Sequence, residues 1–390
     1  MLIILQLLFL SSCWSRREMS ELAIVLGAGV DRTPDNKVQL TLQLARPAAF
    51  AGGAESGGGA SPEQNITWTI SETGDTILEA ERSLALKVGR NIYWAHGIIL
   101  VLGEEAAKAG VRNYIDFFMR DPMPRETTWV LVTKGKAKTI LESHAELEKT
   151  SAQATGFILR NNEGIGVRLK DYAIALAARG TNPTLPLVEL EQVGEVSGPG
   201  MDKPKQHEGV SITGLGVFKD EYLVGWLDIQ ETRGLLWLRG DMGNCIITIP
   251  SPGQPDKMLS IDIVGVKTKV EPQFDGGKIS FDVNLSIKGE LSEQQSTEDL
   301  SIPEKIVEIE EAMAEDAANK CLAALEKAQG EYGSDIFGFG EAFHRKYKRE
   351  YKELKYSWNE VFKDAQVNIA IEARVQRVGL LNRPVTIKRP

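Results

Sequence analysis

A glutamate and a histidine three positions apart on a helix can share a metal ion, and Glu341-Ala342-Phe343-His344 has that spacing. Carboxylate-bridged metal bundles need two such motifs plus two further glutamates. The second is missing here, so the pair reads as a helix surface. Gly27-Ala28-Gly29 follows an apolar run and suggests a dinucleotide-binding loop, but Arg32 stands where G-x-G-x-x-G requires its last glycine. There is no P-loop, no G-x-S-x-G elbow and no H-E-x-x-H. His96, just before an apolar run, reads as a hydrogen-bonded structural histidine, and His144 and His207 have no neighbour that suggests a task. Cys245 and Cys321 fall in neither a C-x-x-C nor a zinc spacing. Trp226 and Trp237 lie on a predicted hairpin and the helix after it; the choices are a small-molecule or partner contact and a place in the core. No catalytic residue, metal or cofactor follows from these patterns.

Cys13 offers different chemistry. Residues 2–10 read LIILQLLFL, an apolar run too short to span a bilayer, and Ser11-Ser12 place small side chains before the thiol. Leu10-Ser11-Ser12-Cys13 resembles the bacterial lipoprotein signal, in which the cysteine becomes the lipidated first residue of the mature chain. One acyl chain at about 0.8 kcal/mol per buried CH2 binds marginally, whereas two or three hold firmly. Arg16 and Arg17 follow and could touch anionic head groups. The alternative is a short apolar segment carrying a plain thiol. No Lys or Arg precedes the run, which would fit a start further upstream.

The elements that must carry these residues divide the chain. With 390 residues, 42% of them hydrophobic, the length predicts two or three domains at roughly 100–200 residues each. A net charge of −9 without a basic stripe argues against nucleic acid as a partner. Strand-like runs (22–30, 38–44, 66–70, 97–102, 128–133) alternate with helical ones (75–88, 104–119, 136–179), a mixed α/β pattern. Residues 47–62, rich in Gly, Ala and Ser, read as a surface loop. Prolines and glycines over 181–208 mark the boundary. Beyond it come a hairpin over 212–227, a helix over 231–238, a long hairpin turning at Asp275-Gly276-Gly277, helices, and a strand over 367–375. A capping box, Ser301-x-x-Glu304, is expected to start the longest helix. The fold class expected is α+β: an N-terminal mixed α/β domain, then a C-terminal antiparallel sheet with helices on one face. The divisions are 1–12 signal peptide, 13–21 anchored segment, 22–190 N-terminal domain, 191–210 linker and 211–380 C-terminal domain, with a further split near 257 left open.

Laid out in order, four blocks resemble one family, the Ger(x)C spore-germination lipoproteins. They are Cys13-Trp14-Ser15-Arg16-Arg17-Glu18 with 22–27; His96-Gly97 through Glu105, Asp116–Pro122 and 129–132; Gly214–Asp220 with 223–227 and 231–237; and Asp335-Ile336-Phe337-Gly338-Phe339-Gly340-Glu341 with Trp358 and Phe362. Family members usually have Asp where Ser15 stands. The resemblance implies a C subunit of a nutrient germinant receptor, lipid-anchored through Cys13 on the outer face of the spore inner membrane. It also implies two integral-membrane partner subunits and no enzymatic activity of its own. The competing expectation is an extracytoplasmic solute-binding lipoprotein that captures a small nutrient itself, for which Trp226 and Trp237 near the domain junction are the motivating feature.

Overall fold

The computed structural model describes residues 18–46, 66–161, 164–196, 205–243 and 245–377. Among these residues nine strands form the larger sheet: β1 (Leu22–Arg32), β2 (Val38–Ala45), β3 (Thr67–Gly74), β4 (Asn91–Tyr93), β5 (Ile99–Gly103), β6 (Trp129–Thr133), β7 (Thr184–Val196), β8 (Lys205–Lys219) and β9 (Tyr222–Leu227). Their order is β3-β2-β1-β5-β6-β7-β8-β9, with β4 beside β1. β1, β5, β6 and β7 are parallel neighbours, flanked by antiparallel β2–β3 and β8–β9.

The two central strands, ILVLG and WVLVT, are buried at every position, as parallel strands covered on both faces must be. Alternate residues serve opposite faces. Leu100, Leu102, Val130 and Val132 pack against α1 (Ile77–Val88), α2 (Glu104–Ala109), α3 (Arg112–Arg120) and Tyr172 further along. Ile99, Val101, Trp129 and Leu131 pack against α4 (Ala137–Glu142) and α5 (Ser151–Asn161). Tyr172 itself lies on α6 (Leu169–Ala177).

Where the expected linker, 191–210, is described, over 191–196 and 205–210, it is β-structure. β7 and β8 pair from Thr184↔Val217 to Val196↔Lys205. The hairpin at 212–227 therefore extends the larger sheet. Proline and glycine density misled the reading: Pro186 sits within β7, and Gly194 takes positive φ at a register shift, a bulge that a paired strand tolerates.

After α7 (Ile229–Arg239) comes the second sheet, β10 (Cys245–Ser251), β11 (Gln254–Asp275), β12 (Lys278–Gln294) and β13 (Gln366–Arg377), in that order. The long hairpin turns at Gly276 and Gly277, both at positive φ, where side chains would be strained. β13 departs from the antiparallel expectation, pairing parallel with β12 from Ser280↔Gln366 onward. The helices between the two strands supply the crossover that a parallel pair requires: α8 (Pro303–Leu325), α9 (Phe339–Lys346), α10 (Lys348–Leu354) and α11 (Trp358–Asp364). Of the stripe Ile306, Ile309, Met313, Ala317, Cys321 and Leu325 that the spacing of three or four predicts for α8, all are buried except the half-buried Ile306.

The expected capping box at Ser301 does not form. Ile302 is the N-cap, Pro303 opens the helix, and Ser301 donates to Asp299 at 2.5 Å. Proline in the first turn has no N–H to satisfy. A capping box does close α7, where Asp228 and Glu231 bond each other's backbone amides. Among the described residues no helix is long and apolar enough to cross a membrane.

Candidate functional site at the junction of the two sheets

The two sheets share a core. Leu215, Val217 and Leu227 of the larger sheet lie in one buried cluster with Ile261, Phe281, Trp237 and the α8 stripe. Polar contacts fix the junction around Asp335, which is buried. The segment 335–340 turns tightly, with Gly338 at φ 79°, so that successive amides point back at the Asp335 carboxylate. Oδ1 accepts from Phe337 (3.0 Å), Gly338 (3.0 Å) and Phe339 (3.2 Å); Oδ2 accepts from Gly340 (2.7 Å) and from the Trp358 indole (2.9 Å). Burial pushes the Asp335 carboxyl up from its ordinary value, opposed by the indole and amide donors.

This knot is bonded to the larger sheet. The Asp335 carbonyl accepts from the Asn182 amide at 2.7 Å, and the Asn182 side chain bonds Asp220 at 2.9 Å and Asn359 at 2.8 Å. Ser334 donates to the Phe218 carbonyl at 2.6 Å. Arg239, half-buried and with its guanidinium held below its ordinary value by desolvation, donates to the Ile336 carbonyl at 2.7 Å and to Thr184 at 3.4 Å. Gly340 permits a close approach: a Cβ there would lie 2.5 Å from the Gly180 carbonyl and 2.5 Å from the Trp358 indole nitrogen. Around the knot, Phe281 stacks on Phe339 (4.8 Å between centroids) and Phe343 packs on Trp358 (5.5 Å). Such an arrangement holds geometry, with the Asp335 oxygens engaged within the protein.

The residues expected from sequence to form a site are not brought together. Cys13, Arg16 and Arg17 lie outside the described residues. Trp237, kept open as a contact residue, is 1% exposed and belongs to the shared core; an adjoining helix between two sheets buries its inward face. Trp226 is half-buried on β9, with its backbone bonded to Tyr332 and the Lys134 ammonium 5.7 Å from its ring centroid. His96, expected as a hydrogen-bonded structural histidine, is exposed in a turn. His207 has a partner after all, Glu146 at 3.1 Å. On α9, the His344 ring stacks on Tyr351 at 4.5 Å. Burial pushes the Cys245 thiol up and that of Cys321 up to about 12, so both are poor nucleophiles.

The role of Asp335 escaped the sequence reading, although the block containing it was noted. The usable signal was an aspartate followed by F-G-F-G, since Asp side chains bond the backbone amides just ahead of them.

Comparison with known proteins covers nearly the whole chain. Residues 15–190 match the family described as the spore germination protein N-terminal domain, and residues 213–379 match spore germination B3/GerAC-like, C-terminal. Spore germination protein KC of Bacillus subtilis (strain 168) is 28% identical over 397 residues, spanning 98% of this chain and 96% of that one. Spore germination protein B3 of the same organism is 23% identical over 386 residues, with 97% and 96% covered. The crystal structure of the GerBC protein superposes with a TM-score of 0.58 at 19% identity, covering 90% of this chain and 97% of that one. That likeness supports the α+β fold.

Proposed function

Because the chain belongs to the GerAC-like family of spore germination proteins, and so acts in spore germination, we propose that it is a lipid-anchored, non-enzymatic subunit of a nutrient germinant receptor. In this reading Cys13 carries the lipid, and the body rests on the outer face of the spore inner membrane. It binds two integral-membrane subunits there and needs no cofactor. The observation that carries the reading is the order of the chain: an apolar run and then Ser11-Ser12-Cys13, followed directly by a body matching this family over residues 15–190 and 213–379. Tethering confines the body to a thin layer above the bilayer. That raises its effective concentration toward membrane partners without any new contact.

The junction supports a mechanical contribution. In this reading, with the two sheets joined through Asp335, Asn182, Ser334 and Arg239, a displacement imposed on one half by a partner is passed to the other. The solute-capturing alternative drew on Trp226 and Trp237 together, and Trp237 is sealed in the core. Crosslinking the native protein in spore membranes and identifying its partners by mass spectrometry tests the proposal. Two polytopic subunits recovered with the chain are expected; recovery of the chain alone, or with soluble proteins only, refutes it.

A further inference from the structure

The chain is acidic overall, with a net charge of −9, yet one cleft gathers the opposite sign. It has a volume of about 730 Å³, lies near the starts of β1, β5 and β6, and is walled by Arg125, Arg160, Arg168, His96, Trp129 and Gln153. Among the described residues no Asp or Glu lines it. Arg168 sits over the Trp129 ring, 3.1 Å from its centroid, and donates to the Thr127 carbonyl at 2.5 Å. Arg160 lies over Phe157 at 4.8 Å. Burial holds Arg168 below its ordinary value and the like charge of Arg160 adds to this, with a smaller opposing pull from Asp171. Among the described residues none of the three arginines is in an ion pair, and Glu126, next to Arg125, faces Lys170 at 3.9 Å. Gln153 Oε1, in the same wall, is buried without a hydrogen-bond partner. Three guanidiniums on one cavity repel each other until an anion joins them, and their planar forks match phosphate.

Position narrows the source of the phosphate. Ile24 and Leu26 of β1 line the cleft, and Ala45 is shared with an adjoining depression that includes Met19, Trp68, Arg46 and Arg90. Met19 is 73% exposed and Trp68 44%. Cys13 stands six residues before Met19, at most about 21 Å of extended chain. With Cys13 lipidated, this end of the sheet cannot stand further from the bilayer than that. An exposed tryptophan among arginines is the side-chain mixture that favours a membrane interface.

We propose that the arginine cleft and the Met19–Trp68 depression form a membrane-facing surface that seats the phosphate of an anionic phospholipid. This deepens the lipid-anchored reading and takes its orientation from it. The test uses the mature chain from residue 13 carrying Cys13→Ala, sedimented with vesicles of phosphatidylcholine alone or mixed with phosphatidylglycerol. A second chain adds Arg125→Ala, Arg160→Ala and Arg168→Ala. A third removes Arg345, Arg349 and Arg377 instead, and circular dichroism checks that all remain folded. Binding is expected to need phosphatidylglycerol and to weaken about 100-fold in the cleft variant, at roughly a factor of five per basic residue. The control variant should bind nearly as the parent does. Absence of vesicle binding by the parent, equal binding by the cleft variant, or calorimetric binding of inorganic phosphate without vesicle binding overturns the proposal. No acyl chain is present in this measurement, so its result is separable from whether Cys13 is lipidated.

Discussion

Asp335 takes five donors on two oxygens, so Asp335→Ala strands four backbone amides and an indole in the core. Each orphaned buried donor costs about 1–3 kcal/mol, and partial collapse of the loop recovers some of that. A net loss of at least about 3 kcal/mol is expected, read as a lowered urea midpoint; a midpoint within error of the parent contradicts the assigned role. Cys321 gives a prediction of opposite kind. Its thiol pKa rises from 9.0 to about 12 on folding, so the native protein holds the proton at pH 8 and alkylation there should be at least about 1,000-fold slower than in urea. The same shift means that this thiol's contribution to stability is complete below pH 9 and fades as pH rises toward 12. The place of Cys321 was legible because its stripe repeats every three or four residues. For Asp335 only the local turn was signalled, by the F-G-F-G after it; its bond to Asn182 was not, because that residue meets it only when the two sheets dock.

Between elements, the tightest contact is the crossing of α7 over α8. A Cβ on Gly234 would stand 1.9 Å from the Lys320 carbonyl oxygen, a backbone atom that cannot rotate away. Gly234→Ala should therefore force the helices apart and lower stability by about 2 kcal/mol or more. Gly330→Ala, with no atom within 4 Å of the added carbon, should change it little. Thermal melts followed by circular dichroism distinguish the two, and equal midpoints would show that the helices do not cross as described. Strands whose side chains alternate or are wholly apolar were readable one by one, as with β5, β6 and β12. Their partners were not: β7 and the first part of β8 fall where prolines and glycines suggest a linker, and only their mutual pairing, between residues nine to 33 apart in sequence, shows them to be sheet. The parallel placement of β13 was likewise beyond reach, since alternation reveals a strand and is silent about its direction.

At the scale of the whole molecule, the shared core and the Asp335 knot join the two halves among the described residues. Calorimetry of the mature chain should give one cooperative unfolding transition; two separated transitions would mean that the junction does not couple the halves. That coupling matters for function only if the body is held at a membrane, and the holding is assigned to one sulfur atom. Mass spectrometry of the N-terminal peptide from spore membranes addresses it. The account predicts a chain that begins at Cys13 with a diacylglyceryl thioether, and it is contradicted by a peptide that still carries residues 2–12 joined to an unmodified Cys13 thiol.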